Sequence, residues 1–403
     1  MKKIITLLCT LSLIFTCILL SSCNAVGVDT GDFECTFDTK NNTATIVAYN
    51  GSDTEITIPD SFGKFTVTEI GWGAFSQKFD ITKITLPNGL KIIGSAAFEY
   101  CVGLEEIILP ETVESIGNTA FYNCRSLKQI TIPNGVKSIG ICVFSGCSSV
   151  EKFEVDKQSS AYSSDESGAL LDKSQKNLIQ YPLGSKRKTY TMPETVEEIS
   201  GYAFEKATNL ENVTFSSNMK KIGSYAFSGS GIVEAELFEN LEEIGISAFS
   251  ETPLASITLP DGLKTIGEGA FSHCSSIVDV TIPASVSTIG QSAFYMCNAI
   301  EAFSVDMESK HFVNDQYGAL FNKDMSILIC YPVASSIAEY KIPSTVKTIS
   351  ANSFSPSLNL TKVIIPDSVE TIESMAFAYC TNLEDIVYEG TKPNKIAEDA
   401  FKK

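Results

Sequence analysis

Apolar and polar residues alternate in short bursts along this chain, and the bursts return at a fixed interval. In Leu127 to Phe144, Ile130 and Ile132 alternate with Gln129 and Thr131, the two-residue period of a half-buried strand. Pro133 stops the run because proline has no N–H to give a ladder, and Asn134-Gly135 turns the chain. Val136 and Ile139 then set a second short apolar edge inward. A glycine follows that isoleucine in eight of twelve copies, where the chain turns tightly or backbones approach closely. The Ala-Phe segment after it predicts a brief helical or irregular turn whose ring fills the core.

The phenylalanines keep the clock. They are Phe75, Phe98, Phe121, Phe144, Phe204, Phe227, Phe249, Phe271, Phe294, Phe354, Phe377 and Phe401, each five residues after an isoleucine. Nine of the eleven gaps are 22 to 24 residues, and the other two are both 60. Such a period predicts one unit stacked on copies of itself, each burying its apolar side only against its neighbours. The fold class expected is a leucine-rich-repeat solenoid: a curved rod with one long parallel β-sheet, short helical or irregular turns and two enlarged repeats. Phe98, Phe121, Phe144, Phe227, Phe271 and Phe294 are its expected structural core.

Both long gaps hold the same insertion. Gly168-Ala169-Leu170 matches Gly318-Ala319-Leu320, and Tyr181-Pro182 matches Tyr331-Pro332, at an offset of 150. Apolar runs around Leu170 and Ile179 flank a polar stretch, which predicts a hairpin. Phe33 to Phe37 and Thr43 to Val47 flank Asp38 to Asn42, a second hairpin signal that would cover the first coil. The organisation expected is an N-terminal β cap over 33–70 and a solenoid over 71–403, with enlarged repeats at about 150–199 and 300–349.

The consensus Leu-x-x-Ile-x-Ile-Pro-x-x-Val-x-x-Ile-Gly-x-x-Ala-Phe-x-x-Cys, nearly complete in Leu104 to Phe121 and Ile277 to Phe294, resembles the BspA-type leucine-rich-repeat family of bacterial surface proteins. The resemblance covers about residues 33 to 403. It implies a surface or secreted protein, with adhesion to host matrix proteins or to other bacteria as the associated role.

The first residues read differently. Lys2 and Lys3, an apolar run from Ile4 to Leu20 and small residues after it form an export signal over 1–22. Leu20-Ser21-Ser22-Cys23 resembles the bacterial lipobox, which makes Cys23 the expected lipidation site and 23–32 a tether. Several acyl chains on one cysteine suffice for stable anchoring. Without 1–22 the chain keeps 28 basic against 48 acidic residues, a balance of −20. That surplus argues against nucleic acid and anionic lipid as partners.

Catalytic and metal chemistry leave little trace. His273 and His311 lie in different repeats, and no Walker loop, His-Glu-x-x-His or EF-hand run occurs. No catalytic residue, metal or cofactor is expected. Cys101, Cys124, Cys147, Cys274, Cys297 and Cys380 each stand three residues after a repeat phenylalanine. Elsewhere that column is mostly small, so the sequence predicts a reduced, buried ladder of small hydrophobes.

Outward strand positions form the candidate binding face: Gln129, Thr131, Asn212, Thr214, Glu234, Glu236, Ser256, Thr258, Asp279 and Thr281. The function expected is a surface-anchored lipoprotein that binds a protein or glycan through this face. A non-adhesive envelope scaffold is the alternative, and an exported hydrolase a remote one.

Overall fold

The computed structural model describes residues 28–403, so the export signal, Cys23 and the start of the tether lie outside the described residues. Contacts divide the chain into two compact units, with the boundary between Ala161 and Tyr162, inside the first enlarged repeat. All regular structure among the described residues is β-strand.

In the first unit Phe33–Asp38 pairs antiparallel with Thr43–Tyr49, which runs parallel to Phe65–Ile70. From there a narrow parallel ladder of two-residue strands continues through Ile92–Ile93, Ser115–Ile116 and Ser138–Ile139. A second set of strands carries the Ile-x-Ile pattern. Glu55–Thr57, Lys83–Thr85 and Glu106–Ile108 form one ladder, and Gln129–Ile132 with Lys152–Val155 another.

The second unit repeats the plan twice. Tyr162–Ser164, Leu170–Asp172 and Asn177–Gln180 form an antiparallel hairpin sheet. The last of these starts a parallel narrow ladder that runs to Thr288–Ile289. Phe312–Asn314, Leu320–Asn322 and Ile327–Cys330 do the same for a ladder ending at Lys395–Ile396.

The single long sheet expected from the repeat is not what forms. Each coil contributes to two ladders, and the broader one is cut into short segments. The second enlarged repeat shows one cause. Its loop reaches over Ala302–Val305, where the Phe303 N–H donates to the Gly318 carbonyl at 3.0 Å and the Val305 N–H to Asn314 Oδ1 at 2.9 Å. Backbone groups that a next strand would have taken are already satisfied.

Nor is the Ala-Phe segment helical. Ala96 (φ 55°) and Tyr100 (φ 58°) bracket Phe98 in the left-handed region, and most coils repeat the arrangement. A left-handed residue on each side stops helix propagation. The turn spends its N–H groups on the next coil instead: Ala96 to Asn118, Phe98 to Ala120 and Tyr100 to Tyr122, all at 2.8 Å.

The core is a set of aromatic stacks. Phe75, Phe98, Phe121 and Phe144 stack at 5.3, 5.3 and 5.7 Å between centroids, and Tyr49 begins the column at 5.5 Å from Phe75. In the second unit Tyr181 begins the column Phe204 to Phe294, and Tyr331 begins Phe354, Phe377 and Phe401. Each hairpin therefore delivers a tyrosine to the head of a phenylalanine column. Phe98, Phe121, Phe144, Phe227, Phe271 and Phe294 are all buried.

Close backbone approach explains the glycine column. A Cβ on Gly117 would lie 2.4 Å from the Ser95 nitrogen and 2.7 Å from the Gly94 carbonyl carbon. The φ there is an ordinary one, so packing between coils, and not turn geometry, requires the glycine.

Candidate binding face

Strand alternation sets the exposed face. In Asn212–Thr214 and Glu234–Glu236 the central Val213 and Ala235 are buried while both flanking residues face solvent. Gln129, Thr131, Ser256, Thr258, Asp279 and Thr281 are likewise exposed. Register brings some of them together. Asn212 lies beside Glu234, Glu234 beside Ser256, and Glu236 beside Thr258. Asp279 and Thr281 belong to a separate ladder, beside Ala302 and Ser304. Gln129 and Thr131 belong to the first unit, where Gln129 Nε2 donates to Glu154 Oε2 at 3.1 Å.

Charge runs as ion pairs between successive coils along both the broad strands and the narrow ladder. Lys83 meets Glu106 at 3.3 Å, Lys188 meets Glu211 at 2.7 Å and Lys221 meets Glu243 at 3.0 Å. All are solvent-exposed, so each contributes on the order of 0.2–1 kcal/mol. Glu197 takes two lysines, Lys176 and Lys220, each at 2.6 Å, and their hydrogen bonds lower its carboxyl to about 2. Glu234 and Glu236 have no lysine partner among the described residues. They are the open acidic point of their ladder.

The cysteine column has a role its volume alone did not suggest. Each sulfur donates to the carbonyl of the phenylalanine one coil earlier: Cys101 to Phe75 at 3.1 Å, Cys124 to Phe98 at 3.2 Å, Cys147 to Phe121 at 3.0 Å. Cys274, Cys297 and Cys380 repeat the bond to Phe249, Phe271 and Phe354. Where the column holds Thr252 or Ser357, the hydroxyl donates to the carbonyl of its own coil's phenylalanine instead. Burial pushes Cys101 up to about 12 and Cys274 and Cys380 up to about 11. Such thiols are poor nucleophiles and poor metal ligands.

His273 and His311 are both exposed, and His273 packs edge-on to Tyr295 with ring centroids 5.4 Å apart. Among the described residues no three His, Cys, Asp or Glu side chains converge as a metal site.

Sequence reading missed two features. Asp165 Oδ1 accepts the Ser167 and Ala169 N–H groups at 2.8 and 2.9 Å, and its other oxygen accepts the Tyr190 hydroxyl. Asp315 does the same with Tyr317, Ala319 and Tyr340. Both residues recur at the offset of 150, which was the signal available. The second feature is how far Ile108 stands out: at an outward position between Thr85 and Thr131, in a column that also holds Ile364 and Val387, its large apolar side chain is 71% exposed.

Comparison with family models agrees with the repeated architecture. The BspA type leucine rich repeat region matches residues 49–166, 184–305 and 330–403 in six copies. A leucine-rich-repeat protein from Bacteroides ovatus is similar at 21% identity over 93% of this chain and 91% of its own, with a TM-score of 0.47. A leucine rich cell surface protein from Faecalibacterium prausnitzii is similar at 20% identity over 91% and 95%, TM-score 0.40. The pneumococcal vaccine antigen PcpA is similar at 19% identity over 90% and 99%, TM-score 0.46. No curated protein matches. With its repeats matched over most of its length, the chain belongs to the BspA-type leucine-rich-repeat family.

Proposed function

We propose that this chain is a cell-surface lipoprotein, anchored through Cys23, that binds a macromolecular partner through its exposed strand face. The observation that carries the reading is the in-register, solvent-facing ladder of Asn212, Glu234 and Ser256 with Glu236 and Thr258 beside it. A repeated polar surface of this kind suits a large protein or glycan better than a small substrate. Residues 23–32 act as the tether, 33–70 as a cap and 71–403 as the binding solenoid. The sequence of the first 23 residues supports the location.

Intact cells displaying the full chain test this. Cells are offered immobilised matrix protein, glycan or partner bacteria, with Cys23→Ala and the pair Glu234→Lys, Glu236→Lys as variants. Loss of cell attachment in Cys23→Ala, with protein released to the medium, is the expected result. Cells that retain no partner of any kind would leave the chain a structural component of the envelope and overturn the reading.

A further inference from the structure

We propose that a groove centred on Ile108 docks a basic peptide segment of a partner protein, a reading that rests on the binding function above and adds to it a contact separate from the Asn212–Thr258 ladder. Two depressions meet there. One of about 630 Å³ lies between the Glu105–Leu109 stretch and Lys128, Gln129 and Thr131, and one of about 230 Å³ lies over Lys83 to Leu86. Glu106 and Ile108 line both.

The ladder is interrupted at the same place. Glu106–Ile108 is paired along one edge, to Lys83–Thr85. No ladder bond joins its other edge to Gln129–Ile132, although the narrow ladder of the same coils continues unbroken from Ser115–Ile116 to Ser138–Ile139. The interruption lies only on the outward side. The next coil still lies too close for another strand to enter between them, so a peptide here lies across the outward face, with Ile108 as its apolar anchor and side chains as its polar partners.

Charge selects the peptide. Lys83 is held by Glu106 and Lys128 by Glu105, at 3.3 and 2.8 Å. Glu111, exposed at the rim, has no lysine partner among the described residues. The groove is left with one uncompensated carboxylate in a chain of net charge −18, which favours a lysine or arginine next to the aliphatic anchor.

An internal control exists. The broad ladder parts again between Ser256–Thr258 and Asp279–Ile282, at the offset of 150, but Thr258 stands there in place of Ile108. Parting of the strands is thus architecture, and the isoleucine is what is particular to the first groove.

The test uses the full chain and two short synthetic peptides. One alternates threonine with lysine around a central leucine, and the other has glutamate in place of each lysine. The lysine peptide is expected to bind saturably and to shift the amide resonances of 106–109 and 128–131. Binding is expected to fall about tenfold with the glutamate peptide, with Ile108→Thr and with Glu111→Lys, and to be unchanged by Val387→Thr, an exposed apolar position in the same column of the second unit. Threonine is the residue of the same column in neighbouring coils, so Ile108→Thr keeps the fold, which circular dichroism checks. No saturable binding, equal binding of both peptides, or indifference to Ile108→Thr would overturn the groove. Cell attachment that survives Ile108→Thr while the lysine peptide fails to bind would do the same, and would leave the broader binding function standing.

Discussion

The hydroxyl of Tyr190 donates to Oδ2 of Asp165 at 2.6 Å, and 150 residues on Tyr340 donates to Asp315 at 2.7 Å. In both places the aspartate's other oxygen already holds two loop N–H groups, so the pair ties the hairpin loop to the strand that re-enters the stack. Burial first, and the neighbouring carboxylate second, hold both phenols far above their ordinary value. A group whose folded value is raised contributes stability below its unfolded value, near 10, and loses it as pH rises beyond that. Tyr190→Phe is expected to cost about 1.5–3 kcal/mol in urea unfolding, the range for a hydrogen bond to a charged group. In an alkaline absorbance titration, Tyr190 and Tyr340 are expected to ionise only as the chain unfolds. Their ionisation near pH 10 in a folded chain would contradict the bond.

Truncating one ring in a column tests how locally the stack is held. Phe121 lies between Phe98 at 5.3 Å and Phe144 at 5.7 Å and is fully buried. Phe121→Ala is expected to cost about 3–5 kcal/mol. Hydrogen exchange is expected to quicken in the adjoining coils and stay near normal in the second unit. Uniform loosening of the whole chain would count against nearest-neighbour stability.

Much of this architecture was legible because a repeat prints its own constraints. Twelve phenylalanines at fixed distance from an isoleucine gave the coil, its inward residues and the enlarged repeats. What stayed hidden depends on groups that the period does not see. Two outcomes suit Ala-Phe equally well by composition, and the choice fell to N–H groups of residues such as Phe98 bonding the next coil. One break in the broad ladder lies where the loop at Gly318 covers a strand edge, a contact between residues far apart in the unit of repetition. On the face itself, a list of outward positions could not say which share a ladder. Asn212 and Glu234 do, Asp279 does not.

Acid sensitivity of the surface ladder is expected to centre on Glu197. Hydrogen bonds from Lys176 and then Lys220 lower its carboxyl to about 2. A depressed folded value means the contribution is present above the unfolded value, near 4.3, and is lost as pH falls from there toward 2. Carbon-detected titration of the side-chain carboxyl is expected to give a midpoint well below 4.3, rising in Lys220→Met. Because the lysines are exposed, the shift is expected to shrink in high salt. A midpoint insensitive to both salt and Lys220→Met would remove the two-lysine clamp.

The buried thiols give a kinetic prediction. Cys101, Cys124 and Cys147 are 0 to 1% exposed, and each donates to a backbone carbonyl. Burial raises Cys101 to about 12, so at neutral pH almost none of it is thiolate. Labelling by a thiol reagent under native conditions is expected to proceed only at the rate of local opening. It becomes immediate on unfolding. Cys124→Ala is expected to leave the volume nearly filled and to remove one of two bonds to the Phe98 carbonyl, which keeps the Cys101 N–H at 3.1 Å, at about 0.5–1.5 kcal/mol. Fast native labelling of all three would mean that the column is not closed.

Gly117 tests the spacing of the coils themselves. An added Cβ there would sit 2.4 Å from the Ser95 nitrogen and 2.8 Å from the Ser95 Cα, both backbone atoms of the preceding coil. Neither can rotate away, so the coils must separate or the turn must shift. In a flexible position Gly→Ala stabilises by restricting the unfolded chain, by about 0.4–1 kcal/mol. Here the overlap opposes that gain and is of the size that overpacking costs, about 1–3 kcal/mol. Gly117→Ala is therefore expected to lower stability, and to weaken protection of the Gly117 amide, which bonds the Ile93 carbonyl at 2.7 Å. Gly31 lies outside the stack, with nothing within 4 Å of its Cβ position but a φ of +58°. Alanine there carries the cost of left-handed backbone without any loss between coils. A Gly117→Ala chain as stable as the wild type, with normal exchange at 117, would mean that neighbouring coils sit farther apart than these distances require.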